Sequence, residues 1–248
     1  SLVNQVVPTS CVDLCLPHLL FRPPTAEDGM QVLDLHRELF PLEYDSTFYD
    51  AAVGITPGVA ALGLWLPTER LEELLRRPLY GLPPELLVGI VTLARDGFLI
   101  GVAHSVDVLW RHGEYVADPI KTFGSPVQCS KKLSYILTLG VSETFRRRGL
   151  ASLLVQKAIQ LLKTEGEVYA IYLHVIDYNA AAVRFYKKHG FDFINTIPVG
   201  RTFILLDTFQ KYYTIHGVDY TGAVLAMYLR PPPSRLSLVQ RMSRWFSQ

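Results

Sequence analysis

The stretch "FRRRGLASLLV", residues 145 to 155, places three arginines and a glycine directly before an apolar run. If that run is a helix, its first turn exposes unpaired backbone N–H groups at the positive end of the helix dipole. The small residues Gly149 and Ala151 let a ligand approach the backbone closely, and the guest that suits such a place is a phosphate or a pyrophosphate. One exposed dipole contact contributes only about 0.3 to 1 kcal/mol, so several N–H groups and the forks of Arg146, Arg147 and Arg148 must act together. On the motif alone a second account stays open, in which the basic helix start is merely solvated and the glycine serves packing. The patterns GxxxxGK[ST] and GxGxxG are both missing, which argues against a P-loop nucleotide enzyme and a dinucleotide fold.

The elements around this turn follow from hydrophobic spacing. Leu150, Leu153, Leu154, Ala158, Leu161 and Leu162 fall on one face of a helix. "LSYILTLGV", Leu133 to Val141, and "YAIYLHVI" read as buried strands on either side of it. In "DYNAAAVRFYKKHGF" Asn179 can begin a second helix and Gly190 can end it. This order predicts two adjacent parallel strands joined by a right-handed crossover. Upstream, a strand ending near Arg22 precedes a helix from about Thr25 to Phe40, where Pro41 disfavours helix in the residue before it, and a loop follows. Residues 54–84, rich in Gly, Pro and Leu with a short helix capped by Thr68, are expected as an insertion outside the main pattern. Leu86 to Ala94 and Phe98 to Leu109 read as a hairpin around Arg95-Asp96-Gly97. A polar loop then runs through Ser130, and strands near Phe203 to Leu206 and Ala223 to Leu229 complete a mixed sheet.

Bulk properties narrow the setting. At 248 residues and 49% hydrophobic content the chain can bury a sizeable core. Its net charge of +1 hides an asymmetry, because residues 1–126 hold 8 Lys/Arg against 16 Asp/Glu and residues 127–248 hold 16 against 7. A cationic second half suits an anionic ligand or surface, and equally a solvated basic face. Three cysteines and no Asn-x-Ser/Thr acceptor point to a reducing, cytosol-facing environment. Cys11 and Cys15 lack further ligands at metal-site spacing, so no metal is expected. Neither a signal peptide nor an apolar stretch of about 18 residues is evident.

The Arg-x-x-Gly-x-Ala segment between an apolar strand and an amphipathic helix resembles the pyrophosphate loop of the GNAT acetyltransferase superfamily, whose ligand is acetyl-CoA. "YILTLGV", "IYLHVIDYN", "AVRFYKKHGF", "FPLEY" and "YYTIHGVDYTG" extend the resemblance to the NatF-type N-terminal acetyltransferases, over about residues 19–53 and 86–230. Residues 54–84, 195–208 and 111–130 depart from the pattern. The resemblance implies an α/β fold with a mixed sheet, the GNAT acyl-CoA N-acyltransferase fold, as one domain over residues 1–230 with an amphipathic tail over 231–248. It implies transfer of acetyl from acetyl-CoA to the α-amine of protein N-termini that begin with methionine, membrane proteins with cytosolic N-termini included. A monomer that binds no nucleic acid and works at the Golgi or another organelle membrane is expected.

Acetyl transfer needs a proton taken from the amine, a polarised thioester carbonyl and a stabilised leaving thiolate. By resemblance Tyr135 and His174, 39 residues apart on the two strands, take the amine proton through ordered water. An unperturbed α-amine titrates at about 7.7 to 8.0, against about 10.4 for lysine, so the base need not be strong. Read without the resemblance, His174 is a satisfied core histidine and Tyr135 a packed aromatic. Backbone groups of Leu137, Leu139 and Val141 correspond to the contacts with the thioester and pantetheine arm, and the turn Arg146 to Ser152, with Leu150 and Ala151, to the diphosphate cradle. Asn179 and Tyr186 correspond to residues at the cofactor arm and sulfur, with a helix cap and a core aromatic as their plain alternatives. Phe40, Pro41, Leu42, Glu43 and Tyr44 would form one wall over the peptide N-terminus, and Tyr212 and Tyr213 the other. Two rivals stand beside this reading: lysine acetylation, as on histone tails, and a non-catalytic acyl-CoA-binding membrane adaptor.

Three prolines, 231 to 233, make a stiff spacer before "SRLSLVQRMSRWFSQ". At about 100° per residue Leu238, Val239, Met242, Trp245 and Phe246 share an arc of roughly 120°, with Arg241 and Arg244 opposite. Such a segment suits a membrane interface, and it equally suits docking on the protein's own core. Liposomes carrying anionic lipid are expected to bind the full chain and to release one truncated after Arg230; equal binding of the two in a flotation assay would reject the interfacial role.

Overall fold

Strand β3, Glu85–Ala94, is buried at nine of its ten positions, as a strand covered on both faces must be. It lies between β2, Val59–Pro67, and β4, Lys132–Val141, antiparallel to both, and β1, Leu20–Arg22, pairs with the far side of β2. The computed structural model describes residues 1–40, 44–94, 132–176, 179–193, 196–199, 202–205, 209–215 and 218–229. Contacts divide the chain into two units, Ser1–Phe98 with Tyr135–Thr164, and Leu99–Ser134 with Glu165–Gln248.

In the first unit the segment 54–84 is no insertion outside the sheet. Its "VAALGLWLP" is β2, with five consecutive buried residues from Leu62 to Leu66. Gly and Pro in the flanks obscure this strand, because it is almost wholly apolar and lacks the alternation that marks a half-exposed one. Thr68 opens helix α5, Thr68–Leu75, as its first residue, and its hydroxyl donates to the carbonyl of Pro83 at 2.5 Å instead of capping. Trp65 of β2 is fully buried, and its indole N–H donates to the carbonyl of Arg22 at 3.1 Å. The Arg22 guanidinium stacks 3.7 Å from the Trp65 ring centre and pairs with Asp28 at 2.7 Å and Glu85 at 2.5 Å. One side chain thereby joins β1, β2, β3 and the turn that starts helix α3.

The helices of this unit are α1, Leu2–Val6; α2, Val12–Cys15; α3, Gly29–Leu39; α4, Ser46–Ala52; α5; and α6, Leu150–Glu165. A capping box between Thr25 and Asp28 opens the turn before α3, near the expected start. Helix α4, capped by the Asp45 carboxylate accepting from Phe48 N at 3.0 Å, stands where the sequence suggests a loop. Its seven residues are too few for a periodic signal. On α6 the buried face is Leu150, Leu154, Val155, Ala158 and Leu162, whereas Leu153 and Leu161 are 45% and 48% exposed. The expected apolar stripe is correct in direction and too wide at one margin.

In the second unit β5, Val168–Ile176, pairs antiparallel with β10, Val218–Tyr228, placing His174 opposite Val224. Strand β6, Asp192–Phe193, and strand β9, Phe209–Ile215, pair with β10 as well. Thr202–Leu205 is β8, and it joins β7, Thr196–Val199, in a separate hairpin, so the strand expected near Phe203 does not complete the main sheet. Helix α7, Ala180–Lys188, is capped by Asn179, whose side-chain oxygen accepts from Ala182 N at 3.0 Å. Gly190 at φ +87° closes it, as the sequence suggests. The second hairpin strand, the loop through Ser130 and the tail lie outside the described residues. No helix among those described is long and apolar enough to cross a membrane.

The division of α6 into faces has a measurable consequence. Leu154→Ala is expected to cost about 2 to 5 kcal/mol of unfolding free energy, as truncations in a packed core do, and Leu153→Ala less than about 0.5 kcal/mol. Urea denaturation of the two variants side by side checks this, and similar midpoints would contradict the assignment.

Candidate functional site

The turn between β4 and α6 is held by residues far away in sequence. Asn4 Oδ1 on α1 accepts from Thr144 N at 3.1 Å, from the Thr144 hydroxyl at 2.7 Å and from the Ser142 hydroxyl. Glu38 Oε1 on α3 accepts from Glu143 N at 3.0 Å. Arg148 Nε meets Asp13 Oδ1 at 2.6 Å, and its Nη1 donates to the carbonyls of Thr144 and Arg146 at 3.3 and 3.2 Å. Arg146 Nε donates to the Val141 carbonyl at 3.2 Å. Two of the three arginines expected to grip a phosphate are therefore engaged in shaping the turn. Arg147 is exposed, and its side chain has no partner among the described residues.

The backbone here passes from extended to left-handed. Arg146 has φ −63°, Arg147 φ +65° and Gly149 φ +78°. A non-glycine residue at positive φ costs roughly 1 to 2 kcal/mol, so the Arg147 conformation is sustained by the bonds around it. At Gly149 an added Cβ would meet nothing within 4 Å, so the space over the first turn of α6 is open. An open left-handed glycine at the positive end of a 16-residue helix, with an exposed guanidinium two residues away, fits a diphosphate group.

Strand β4 carries the next features. Thr138 pairs with Thr92 and Ile136 with Leu93, which leaves Leu137 as an extra residue, a β-bulge. Simple alternation would put residues 135, 137, 139 and 141 on one face; the bulge moves Leu139 and Val141 to the other. Thr138 and Gly140 consequently face α3, where a Cβ on Gly140 would come 2.3 Å from Leu39 Cδ1. Of the three residues singled out for their backbone groups, Leu137 lies at the bulge and Leu139 and Val141 follow it.

Tyr135 and His174 are both buried, at 9% and 8% exposure. Burial pulls the His174 imidazole down to a pKa of about 3, so it is neutral at every physiological pH and a weak base. Tyr172 packs against it, 6.3 Å between ring centres and nearly edge-on. Tyr186 on α7 stacks edge-on with Phe191 at 5.4 Å, and burial raises its phenol well above the ordinary value. Asn179 is engaged as the cap of α7, its plain alternative.

Of the substrate walls, Phe40 and Tyr44 are described, and both pack on a residue that the sequence does not single out. His36 of α3 is fully buried, and the rings of Phe48, Phe40, Tyr44 and Tyr49 lie 5.2, 5.5, 5.8 and 5.8 Å from its own. Burial, with Tyr49 nearby, pushes the Tyr44 phenol up to about 12. Pro41, Leu42 and Glu43 lie outside the described residues, as do the side chains of Tyr212 and Tyr213 in β9. A signal for His36 is present in the sequence, since a histidine on the apolar stripe of α3 must find a buried polar partner. Among the described residues no group of three His, Cys, Asp or Glu could hold a metal. Cys15 is buried, and burial, with Cys11 beside it, pushes its thiol up to about 11.

Residues 61–191 match the acetyltransferase (GNAT) family. The histone acetyltransferase MCC1 of Arabidopsis thaliana is 29% identical over 195 residues, 74% of this chain and 67% of MCC1. The N-alpha-acetyltransferase 60 of Danio rerio is 32% identical over 100 residues, 40% of this chain; the match spans only 36% of that relative's length. Arabidopsis thaliana NAA60, solved in complex with acetyl-CoA, superposes with a TM-score of 0.59 at 23% identity, covering 85% of this chain and 98% of the other. The mixed α/β fold, the open turn at Gly149 and the family match agree: the chain belongs to the GNAT acetyltransferase family.

Proposed function

We propose that this protein transfers acetyl from acetyl-CoA to the free α-amine of protein N-termini. The observation that carries the proposal is the open, left-handed turn at Gly149, set at the head of α6 in a chain of an acetyltransferase family. When bound, acetyl-CoA supplies an acyl carbon activated as a thioester. The backbone N–H groups of the turn from Arg146 to Ser152 hold its diphosphate, and Arg147 adds an exposed guanidinium. Backbone groups of Leu137, at the bulge, and of Leu139 and Val141 beyond it orient the arm and carbonyl. Asn179 lies at the arm. Tyr186, whose phenol keeps its proton, gives a hydrogen bond to the departing sulfur.

Tyr135 and His174 receive the proton of the attacking amine. His174 with a pKa of about 3 can strip neither kind of ammonium, so the amine must attack as its free base, and this favours the α-amine. A lysine amine, about 2.5 pKa units higher, presents a few hundredfold less free base near neutral pH. Similarity to relatives bearing the name N-alpha-acetyltransferase 60 supports the same choice. Phe40 and Tyr44, with Pro41, Leu42, Glu43, Tyr212 and Tyr213, form walls suited to a first residue such as methionine. The tail 231–248 brings a monomeric enzyme to a cytosol-facing membrane, the Golgi or another organelle, within reach of membrane proteins. Likeness to MCC1, named a histone acetyltransferase, favours lysine acetylation as the second reading.

Two peptides separate the readings: one with a free α-amine and no lysine, and one N-blocked with a lysine. Acetylation of the first alone supports the proposal, and acetylation of the second alone rejects it. Tyr135→Phe and His174→Ala are each expected to lower kcat by on the order of a hundredfold, as general-base losses commonly do, with acetyl-CoA affinity by calorimetry nearly unchanged. Normal turnover in both would remove them from the mechanism. Gly149→Val places a branched side chain at positive φ in the open space of the turn, and should weaken acetyl-CoA binding at least tenfold while the fold persists. Because His174 stays neutral above pH 3 or so, kcat/KM should fall tenfold per unit below an apparent pKa of about 7.7 to 8.0, that of the amine. An ascending limb near 6.5 that vanishes in His174→Ala would mean that the histidine titrates normally.

A further inference from the structure

The buried imidazole of His36 has hydrogen-bond partners that fix its tautomer. Nδ1 lies 2.8 Å from the carbonyl of Val32, which can only accept, so Nδ1 carries the hydrogen. Burial holds the pKa of this ring below the ordinary value, so the ring is neutral and Nε2 is an acceptor. The hydroxyl of Thr138 donates to Nε2 at 3.1 Å. Having given its hydrogen, Thr138 Oγ1 must accept from Thr92 Oγ1 at 2.6 Å. The bonds therefore run in one direction, Thr92 to Thr138 to His36 to Val32, through side chains that are 0%, 2% and 0% exposed along the first three. Thr138 is the residue immediately after the bulge at Leu137, and one turn on from His36, Leu39 closes over Gly140.

Two structures meet at this ring. On one side is the irregular part of β4, where the extra residue at Leu137 sets the face on which Thr138 and Gly140 lie. On the other is the aromatic cluster of Phe40, Tyr44, Phe48 and Tyr49, packed around the imidazole at 5.2 to 5.8 Å. Packing alone does not require a histidine there, since an apolar side chain of similar volume would fill the space. The polar edge does, because Thr138 needs an acceptor for its hydrogen where the side chains around it are buried. We propose that His36 is a positioning residue that sets selectivity for the first residue of the peptide: its bond to Thr138 fixes the Phe40 and Tyr44 wall in register with the bulge of β4. This rests on the reading of the protein as an N-terminal acetyltransferase.

Thr138→Val removes the donor, Thr138→Ser keeps it, and the pair His36→Leu with Thr138→Val removes both polar partners, which restores most of the stability that either single change loses. With a methionine-first peptide, Thr138→Val and the double variant are expected to raise peptide KM about tenfold with kcat within about twofold, the pattern of lost substrate positioning. Preference for methionine over alanine at the first position should shrink in both, and Thr138→Ser should behave as the wild type. Recovery of KM together with stability in the double variant would make His36 a structural residue only and overturn the proposal, as would an unchanged KM in Thr138→Val. Should the wild type acetylate no peptide, the functional reading fails by itself. The positioning claim is then read from amide hydrogen exchange over Ser46–Ala52, expected at least tenfold faster in Thr138→Val and in the double variant than in the wild type and Thr138→Ser; equal rates in all four overturn it.

Discussion

The side chains around the turn before α6 converge on keeping two residues, Arg147 and Gly149, at positive φ between a buried strand and a long helix. A left-handed glycine is inexpensive, and a left-handed arginine is not. The conformation persists because the chain on either side is tied down, by Asn4 at Ser142 and Thr144, by Glu38 at Glu143 and by Asp13 at Arg148. Once the turn is fixed, the first N–H groups of α6 have a fixed aim, and the helix itself is fixed by Leu150, Leu154, Val155, Ala158 and Leu162 against the sheet. Binding of a charged ligand then requires little rearrangement of the turn, which is where an anion site gains most over a flexible basic segment.

The three arginines show how composition misleads about roles. By count they form one cationic patch, yet two of them spend their donors on the carbonyls of Val141, Thr144 and Arg146 and on the Asp13 carboxylate. Only Arg147 extends outward without a partner among the described residues. An arginine is well suited to such internal service, since its planar fork can reach several carbonyl oxygens at once and stays charged. The apparent excess of charge at the helix start is in large part scaffolding, and the electrostatic attraction for a diphosphate rests more on oriented peptide groups than the sequence suggests.

Much of this is legible along the chain where the signal is local and periodic. The strand before Gly149, the helix after it, the cap at Asn179 and the stop at Gly190 all follow from spacing and from what single residues can do. Strand β2 is obscured because its five consecutive buried residues show no alternation, and Gly and Pro around it resemble a loop. The bulge at Leu137 is invisible, since an extra residue in one strand is defined only by its partner, which lies 46 residues from Thr138 at Thr92. His36 escapes notice for a related reason. Its meaning lies in Thr138, 102 residues further along the chain, and no window along the sequence joins the two.

Asn4 and Asp13 belong to short helices that supply none of the proposed contacts with the donor, and yet they hold the Thr144 N–H, the hydroxyls of Ser142 and Thr144 and the Arg148 guanidinium that set the curvature of the turn. The opening stretch of the chain thus works as an adjustable splint. Evolution can retune the grip on the donor by altering residues there, without touching the arginine and glycine positions by which such a site is ordinarily recognised, and two proteins with the same loop sequence need not hold their nucleotide equally well.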